Sequence, residues 1–86
     1  MNISWNEEKS ISLLQTRGLD FHAVRAEILA GRFIGPESNP GHQTQQRIIV
    51  SLHGYPHIVP LVVDADGNWF LKPIFPSRKA KKEGRI

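Results

Sequence analysis

Apolar residues near the start of the chain recur at helical spacing and predict a first short helix. Its apolar stripe would consist of Ile11, Leu14 and Leu13. Asn6 suits the N-cap position, because its side-chain oxygen can accept a hydrogen bond from a backbone N–H that the helix leaves free. Gly18 suits the C-terminal end, where the backbone often turns into the left-handed region.

A second helix is predicted directly after Gly18. Asp20 is its expected N-cap, and Leu19 and Val24 are spaced to pack against each other across that cap. Gly31 is expected to end the helix. Its apolar positions are Phe21, Val24, Ile28 and Leu29. Helices this short are marginal in isolation, so both must pack on another layer of structure.

That layer is a predicted antiparallel sheet. Long strands are expected at residues 47–52, 55–63 and 69–75, and the Asp-Gly turn at 64–68 joins the last two. Prolines within the second and third of these strands predict sheet edges or bulges, since proline cannot donate a hydrogen bond. A further short strand is suggested at residues 32–34.

The remaining segments are a loop and a basic tail. Residues 35–46 are predicted to form a loop, because they are polar and contain two prolines and two glycines. Ser77 is expected to cap a short basic helix at residues 78–83. The whole chain, residues 1–86, is therefore predicted to be one α+β domain. Two N-terminal helices would pack on an antiparallel sheet of three to four strands, followed by the basic helix.

Composition limits the classes of protein to consider. The 86 residues, 40% hydrophobic and 22% charged, are typical of one small globular domain. No apolar run approaches the roughly 20 residues of a membrane span, and the first residues do not resemble a signal peptide. The absence of cysteine excludes disulfides, thiolate metal sites and cysteine nucleophiles. We therefore expect a cytoplasmic protein that does not associate with membranes.

The positive charge is concentrated at the C-terminal end. Residues 1–71 hold 5 basic and 7 acidic side chains, whereas residues 72–86 hold 6 basic and one acidic. This asymmetry suggests a polyanionic partner, RNA or DNA in the first place. A solubilising tail is the alternative, and composition alone does not separate the two.

Several kinds of catalytic site lack their sequence signals. No glycine-rich phosphate loop, dinucleotide motif or serine nucleophile elbow is present. His53 and His57 flank a turn, but a zinc site needs a third protein ligand, so neither a metal nor another cofactor is expected. His53 is a candidate general acid or base near neutral pH. A solvated turn residue is the simpler interpretation of this histidine.

The basic residues suggest a phosphate site. Arg47 opens one predicted strand, Lys72 lies in another, and Arg78 and Lys79 follow the last. Strand ends meet in a meander, so these side chains can converge on one edge of the sheet. They would stabilise a phosphate that gains charge while a neighbouring 2′-hydroxyl attacks it, which cleaves RNA without a metal. Exposed ion pairs or a solvated rim are the alternative.

The large aromatic side chains also have two interpretations. Trp5, Tyr55 and Trp69 can stack on bases. They can equally belong to the core of a domain that has few large residues. For the tryptophans we favour the core.

Three short motifs at the two ends of the chain resemble a known family. Residues 5–9 are WNEEK, residues 18–21 are GLDF and residues 75–80 are FPSRKA. The BrnT toxins of bacterial type II toxin–antitoxin systems begin with Trp-Asp/Asn-Glu-x-Lys, continue to Gly-Val/Ile-x-Phe and close with Ile-Ser-Ala-Arg-Arg/Lys-Ala. The resemblance covers both ends and the order of elements between them.

The resemblance implies a RelE-like fold and a metal-independent endoribonuclease that cleaves RNA or ribosome-bound mRNA and so inhibits translation. It also implies a cognate antitoxin with a DNA-binding part. The chain itself would contact operator DNA only through this antitoxin. Arg47, Arg78 and Lys79 match basic positions of the family and are expected to bind phosphate in catalysis. Further RNA-binding residues are expected at Lys72, Lys81 and Lys82.

The chain also departs from the family pattern. Thr16 and Arg17 stand where a Lys-His pair precedes the glycine, and Pro73 stands where a basic strand residue is common. The second hypothesis is therefore a non-catalytic module of the same fold that binds an antitoxin or RNA. Direct operator binding by this chain is disfavoured, because no basic recognition helix is predicted.

Overall fold

A computed structural model describes all 86 residues as three helices and six strands. In chain order they are β1 (Ile3–Trp5), α1 (Glu7–Arg17), α2 (Phe21–Leu29), β2 (Ile34–Asn39), β3 (His42–Leu52), β4 (Tyr55–Val63), β5 (Trp69–Leu71), β6 (Phe75–Pro76) and α3 (Arg78–Lys82). No helix combines the length and the apolar character needed to cross a membrane.

All six strands form one sheet around β4. Their order is β1–β5–β4–β3–β2, and β6 also pairs with β4. β1 runs parallel to β5, whereas every other pairing is antiparallel. The α+β class is confirmed, but the prediction of a purely antiparallel sheet of three to four strands is wrong. Three residues are too few to show the alternation of a strand, so the pattern did not reveal β1.

The predicted loop at residues 35–46 is also wrong. Most of it belongs to β2 and β3, which are joined by a tight turn at Pro40 and Gly41. None of residues 35–46 is buried in the structure, so neither face of the strands covers a core here. Their residues consequently lack the apolar alternation by which strands are recognised.

The third predicted strand is present in two pieces. β5 and β6 both pair with β4 and are separated by residues 72–74. Pro73 lies in this gap, where it has no N–H to contribute to the ladder. The neighbouring N–H of Lys72 still donates to the Pro60 carbonyl at 2.7 Å.

The predicted helix caps are confirmed. The Asn6 side chain accepts a hydrogen bond from the Lys9 N–H at 3.1 Å, and the Asp20 side chain accepts one from the His22 N–H at 2.8 Å. Gly18 ends α1 with a φ of 66°. These caps join residues only two or three positions apart, so a sequence reveals them directly.

The main core lies between the sheet and α1 and α2. Strand residues that alternate along β3 and β4 face the second helix, whose inner side is fully buried. Its principal members are Phe21, Val24, Ile28, Ile48, Val50, Val59 and Leu61. The expected stripe of α1 is only partly correct. Leu13 packs against this core, whereas Ile11 and Leu14 are 57% and 52% exposed.

The opposite face of the sheet carries a smaller core under α3. Ile49 and Ile58 pair across β3 and β4 and are buried together with Ala80 of the helix. Ser77 caps α3 by accepting a hydrogen bond from the Ala80 N–H at 3.1 Å. The basic C-terminal segment is therefore fixed against the sheet.

Candidate functional site

An ion pair between two strands forms the base of the candidate site. Glu37 of β2 and Arg47 of β3 are direct partners in the antiparallel ladder, so their side chains leave the same face of the sheet. The Arg47 Nε donates to Glu37 at 3.2 Å. The Arg47 side chain is 19% exposed. Arg47 therefore remains accessible from one side only.

A second arginine reaches the same carboxylate from the end of the chain. The Arg85 Nη2 donates to Glu37 at 3.0 Å. The Arg85 N–H bonds the Ala80 carbonyl at 2.9 Å, which turns the chain back across α3. The hydrogen bond from Arg85, with the charges of Arg85 and Arg47, holds the pKa of Glu37 below its ordinary 4.5. Glu37 is therefore ionised at neutral pH, and the pKa of Arg85 is raised by the same contact.

Lys79 completes a cluster of cations between α3 and β3. It lines a small cleft of about 30 Å³ together with Arg47 and Arg85. Three cations and two carboxylates, Glu37 and Glu83, meet at this place. A volume of this size holds about one water molecule, so a phosphate would bind at its rim and not inside it. We call Arg47, Lys79, Arg85 and Glu37 the Glu37 cluster.

The other basic residues named from the sequence lie outside the Glu37 cluster. Arg78 is exposed at the first position of α3 and forms no ion pair. Lys81 and Lys82 are exposed further along the helix, and the Lys81 Nζ lies 5.9 Å from the centre of the Tyr55 ring. Together with Lys79 these residues make the helix a basic surface.

Lys72 lies apart from that surface. It is half-buried in the segment between β5 and β6, and its Nζ lies 5.2 Å from the centre of the Phe70 ring. It lines a separate depression of about 180 Å³ with Lys9 of α1. The sequence predicted that the ends of the strands would bring Lys72 close to the other basic residues. In the structure Lys72 lies apart from them.

His53 lies far from the Glu37 cluster. It occupies the turn between β3 and β4, and its Nε2 is 3.2 Å from the Gly18 carbonyl oxygen. Six residues of strand separate it from Arg47, roughly 20 Å at the rise of a β-strand. It therefore cannot act on the same phosphate as Arg47.

The second turn histidine is enclosed in the fold. His57 is 6% exposed, and its Nδ1 is 2.8 Å from the Tyr55 carbonyl oxygen. No group of three or more His, Cys, Asp or Glu side chains is placed to hold a metal ion.

Both tryptophans contact core residues. The Trp5 ring stacks on Phe21 with 5.5 Å between centres, and Trp69 meets Phe33 edge to face at 5.8 Å. Both are half-buried against the main core. These contacts agree with the interpretation of the tryptophans as core residues.

Sequence reasoning missed Glu37 and Arg85. Glu37 fell in the segment taken for a loop, and Arg85 lies beyond the predicted helix. The hairpin turn at residues 40–41 was a usable signal for two paired strands. However, a register shift between Ser38 and Asn39 means that counting back from the turn would not have placed Glu37 opposite Arg47.

Comparison with models of known protein families, with curated proteins and with solved structures finds no match to this chain. Its function must therefore be argued from the Glu37 cluster and the surfaces beside it.

Proposed function

We propose that this chain is a BrnT-like toxin of RelE-like fold from a type II toxin–antitoxin pair. In this proposal it acts in the cytoplasm as a metal-independent endoribonuclease that inhibits translation. The observation that carries the proposal is the Glu37 cluster. Three cations from a strand, a helix and the C-terminal segment meet there beside the carboxylates of Glu37 and Glu83. A carboxylate that can accept a proton and cations that can stabilise charge on phosphorus are together able to support cleavage of RNA by its own 2′-hydroxyl.

The proposed reaction divides the roles among four side chains. Glu37 accepts the proton of the 2′-hydroxyl, whose oxygen then forms a bond to phosphorus. Arg47 and Arg85 bind the non-bridging oxygens as their negative charge increases, and Lys79 adds a point charge. The bond to the 5′-oxygen breaks, and this oxygen takes a proton from water. The products carry a 2′,3′-cyclic phosphate and a 5′-hydroxyl.

The two ion pairs of Glu37 keep it a weak base until RNA binds. A phosphate that binds the guanidinium group of Arg47 or Arg85 competes with the Glu37 carboxylate for that group. Glu37 then loses an ion-pair partner, and its pKa rises towards the ordinary value. Substrate binding would in this way prepare the base that the reaction needs.

The basic surface of α3 is proposed to bind the rest of the RNA and the antitoxin. Arg78, Lys81 and Lys82 are exposed beside the Glu37 cluster and have no carboxylate partner. They can contact neighbouring phosphates, and an acidic antitoxin segment would cover the same residues and block the site. The antitoxin, through its own DNA-binding part, would connect the pair to operator DNA.

The test is cleavage of RNA by the purified chain in EDTA, with and without ribosomes, beside the variants Arg47→Ala and Arg78→Ala. We expect 2′,3′-cyclic phosphate ends from the unmodified chain. Arg47→Ala should lower the rate about a hundredfold, as loss of a transition-state donor does. Arg78→Ala should mainly weaken RNA binding. Arg25→Ala, an exposed arginine of α2, is the matched control and should cleave normally.

The second candidate is a non-catalytic module that binds an antitoxin or RNA. The observation that favours it is that Arg47 and Arg85 already share a carboxylate partner, so neither needs a phosphate. Absence of cleavage by the unmodified chain, with ribosomes supplied, would select this candidate.

A further inference from the structure

The outer part of the β2–β3 hairpin has an unusual composition. We call residues 38–46 the polar ribbon. It contains no Lys, Arg, Asp or Glu, and apart from Pro40 no apolar side chain. Four amides, two hydroxyls and one imidazole make up its functional groups: Asn39, Gln43, Gln45, Gln46, Ser38, Thr44 and His42. Surface hairpins are usually kept soluble by charged side chains, so a run of neutral polar groups calls for a separate explanation.

The polar ribbon is curved and presents a concave surface. Ladder pairing continues from Ser38 and Gln46 to Asn39 and His42, with a register shift between the two pairs. Such irregularities bend a strand pair. The concave side has a volume of about 650 Å³, and apart from Pro36 its lining side chains are polar. Most small-ligand sites are lined by apolar side chains, so this polar surface would contact a ligand mainly through hydrogen bonds.

One hydrogen bond within this surface fixes two of the amides. The Asn39 Nδ2 donates to the Gln45 Oε1 at 3.2 Å. The amide nitrogen of Gln45 is left free by that bond, whereas Gln43 and Gln46 are exposed. The surface therefore offers amide donors and acceptors, of which Asn39 and Gln45 are held in place by their hydrogen bond.

This chemistry fits the edge of a nucleobase. Each amide has a donor and an acceptor side by side, which is the arrangement that base edges also present. Phosphates are bound by cations, which the polar ribbon lacks, so it would not track a nucleic-acid backbone. It also lacks the aromatic and aliphatic anchors that dominate protein interfaces. The observations therefore favour a base over a protein segment.

The polar ribbon directly adjoins the Glu37 cluster. Glu37 borders the concave surface and also holds Arg47 and Arg85. Gln45 precedes Arg47 by two residues of β3, a distance of about 7 Å along the strand. A nucleotide whose phosphate contacts Arg47 would therefore have its base within reach of Gln45.

We propose that the concave side of the polar ribbon recognises an unpaired RNA base next to the phosphate held by Arg47. This inference rests on the proposed function, because the RNA recognised is the RNA cleaved. The polar ribbon would then determine which sequences are cut, whereas the Glu37 cluster would determine how fast.

The experiment maps cleavage sites in a pool of single-stranded RNAs of random sequence. It compares the unmodified chain with Gln45→Ala and with Gln43→Ala. Gln43 makes no side-chain hydrogen bond, so its replacement leaves the fold undisturbed. Gln15→Ala, an exposed glutamine of α1, is the matched control. Salt dependence of RNA binding is measured for each variant.

We expect Gln45→Ala or Gln43→Ala to change the base preference beside the cut by roughly five- to a hundredfold, as loss of a base contact does. The salt dependence should stay unchanged, since no phosphate contact is removed. Cleavage by both variants with the original base preference would overturn the inference and leave the proposed function standing. An unmodified chain that cleaves no RNA would overturn both.

Discussion

Glu37 is the residue on which the candidate site depends most. It accepts hydrogen bonds from Arg47 of the neighbouring strand and from Arg85 of the C-terminal segment. No other carboxylate of the chain pairs with two arginines. Its replacement should therefore affect both stability and catalysis, and the two effects can be measured separately.

Glu37→Gln should lower the free energy of unfolding by about 1 kcal/mol at pH 7. The fold depresses the pKa of Glu37 below 4.5, so it favours the ionised form. That stabilisation is fully present above about pH 4.5 and is lost as the pH falls through the lower folded pKa. Urea unfolding at pH 7 and pH 3 should therefore show a difference between the two proteins that shrinks in acid. Asp66→Asn, in the turn between β4 and β5, is the control.

Gly35 is the residue that sets the start of β2. Its φ is +108°, and a Cβ at this position would lie 2.8 Å from the Arg47 carbonyl oxygen. Gly35→Ala should therefore destabilise the fold by about 1–3 kcal/mol. It should also lower RNA cleavage by displacing Arg47. Gly67→Ala has a positive φ without a close contact, so comparing the two by thermal unfolding isolates the effect of the contact.

Among the elements, α3 joins the smaller core to the basic surface. Ser77 caps the helix, and Ala80 packs its inner side against Ile49 and Ile58. Lys79 belongs to the Glu37 cluster. A five-residue helix is too short to form alone. Its cap and its buried side must therefore hold it in place.

Ser77→Ala should remove the cap of α3 and cost about 1 kcal/mol of stability. We also expect slower RNA cleavage, because Lys79 and Arg85 are positioned through this helix. Chemical denaturation and the cleavage assay together test this expectation. Ser12→Ala, an exposed serine within α1, should change neither measurement. If the Ser77→Ala chain is less stable but cleaves RNA at an unchanged rate, α3 does not position the residues that cleave RNA.

Elements defined by contacts between residues close in sequence could be predicted, and elements defined by contacts between distant residues mostly could not. The three caps, at Asn6, Asp20 and Ser77, are local and were found. β4 and the inner half of β3 were found because the main core requires their apolar residues. The polar ribbon was missed because no core side chain marks it, and β1 was missed because three residues are too few to show alternation.

The candidate site was predicted only in part, for the same physical reason. Arg47 and Lys79 were named from their charge and their places at strand and helix ends. The position of Glu37 opposite Arg47 is set by the register of a bulged hairpin. The position of Arg85 is set by the way the chain turns back after α3. Neither long-range contact is encoded in a short window of sequence.

The molecule as a whole depends on one thin layer of apolar side chains. Ile48 is fully buried at the centre of that layer and pairs with Val59 of β4. Ile48→Ala should cost about 2–5 kcal/mol. A domain of this length has a total stability of roughly 4–13 kcal/mol. Ile11→Ala, on the exposed side of α1, should change the unfolding free energy by less than about 0.5 kcal/mol. Equal effects in urea unfolding would contradict this placement of the core.

The parallel pairing of β1 with β5 determines when a newly made chain can complete its sheet. Ile3 pairs with Trp69, so the first strand to be synthesised has as its partner one of the last. Strands β2, β3 and β4 can pair with one another while later residues are still inside the exit tunnel. At about 5–20 residues per second, β1 waits roughly 3 to 13 seconds for β5 to emerge. During that interval the backbone N–H and C=O groups of β1 have no strand of their own chain to pair with and are open to another chain made from the same messenger.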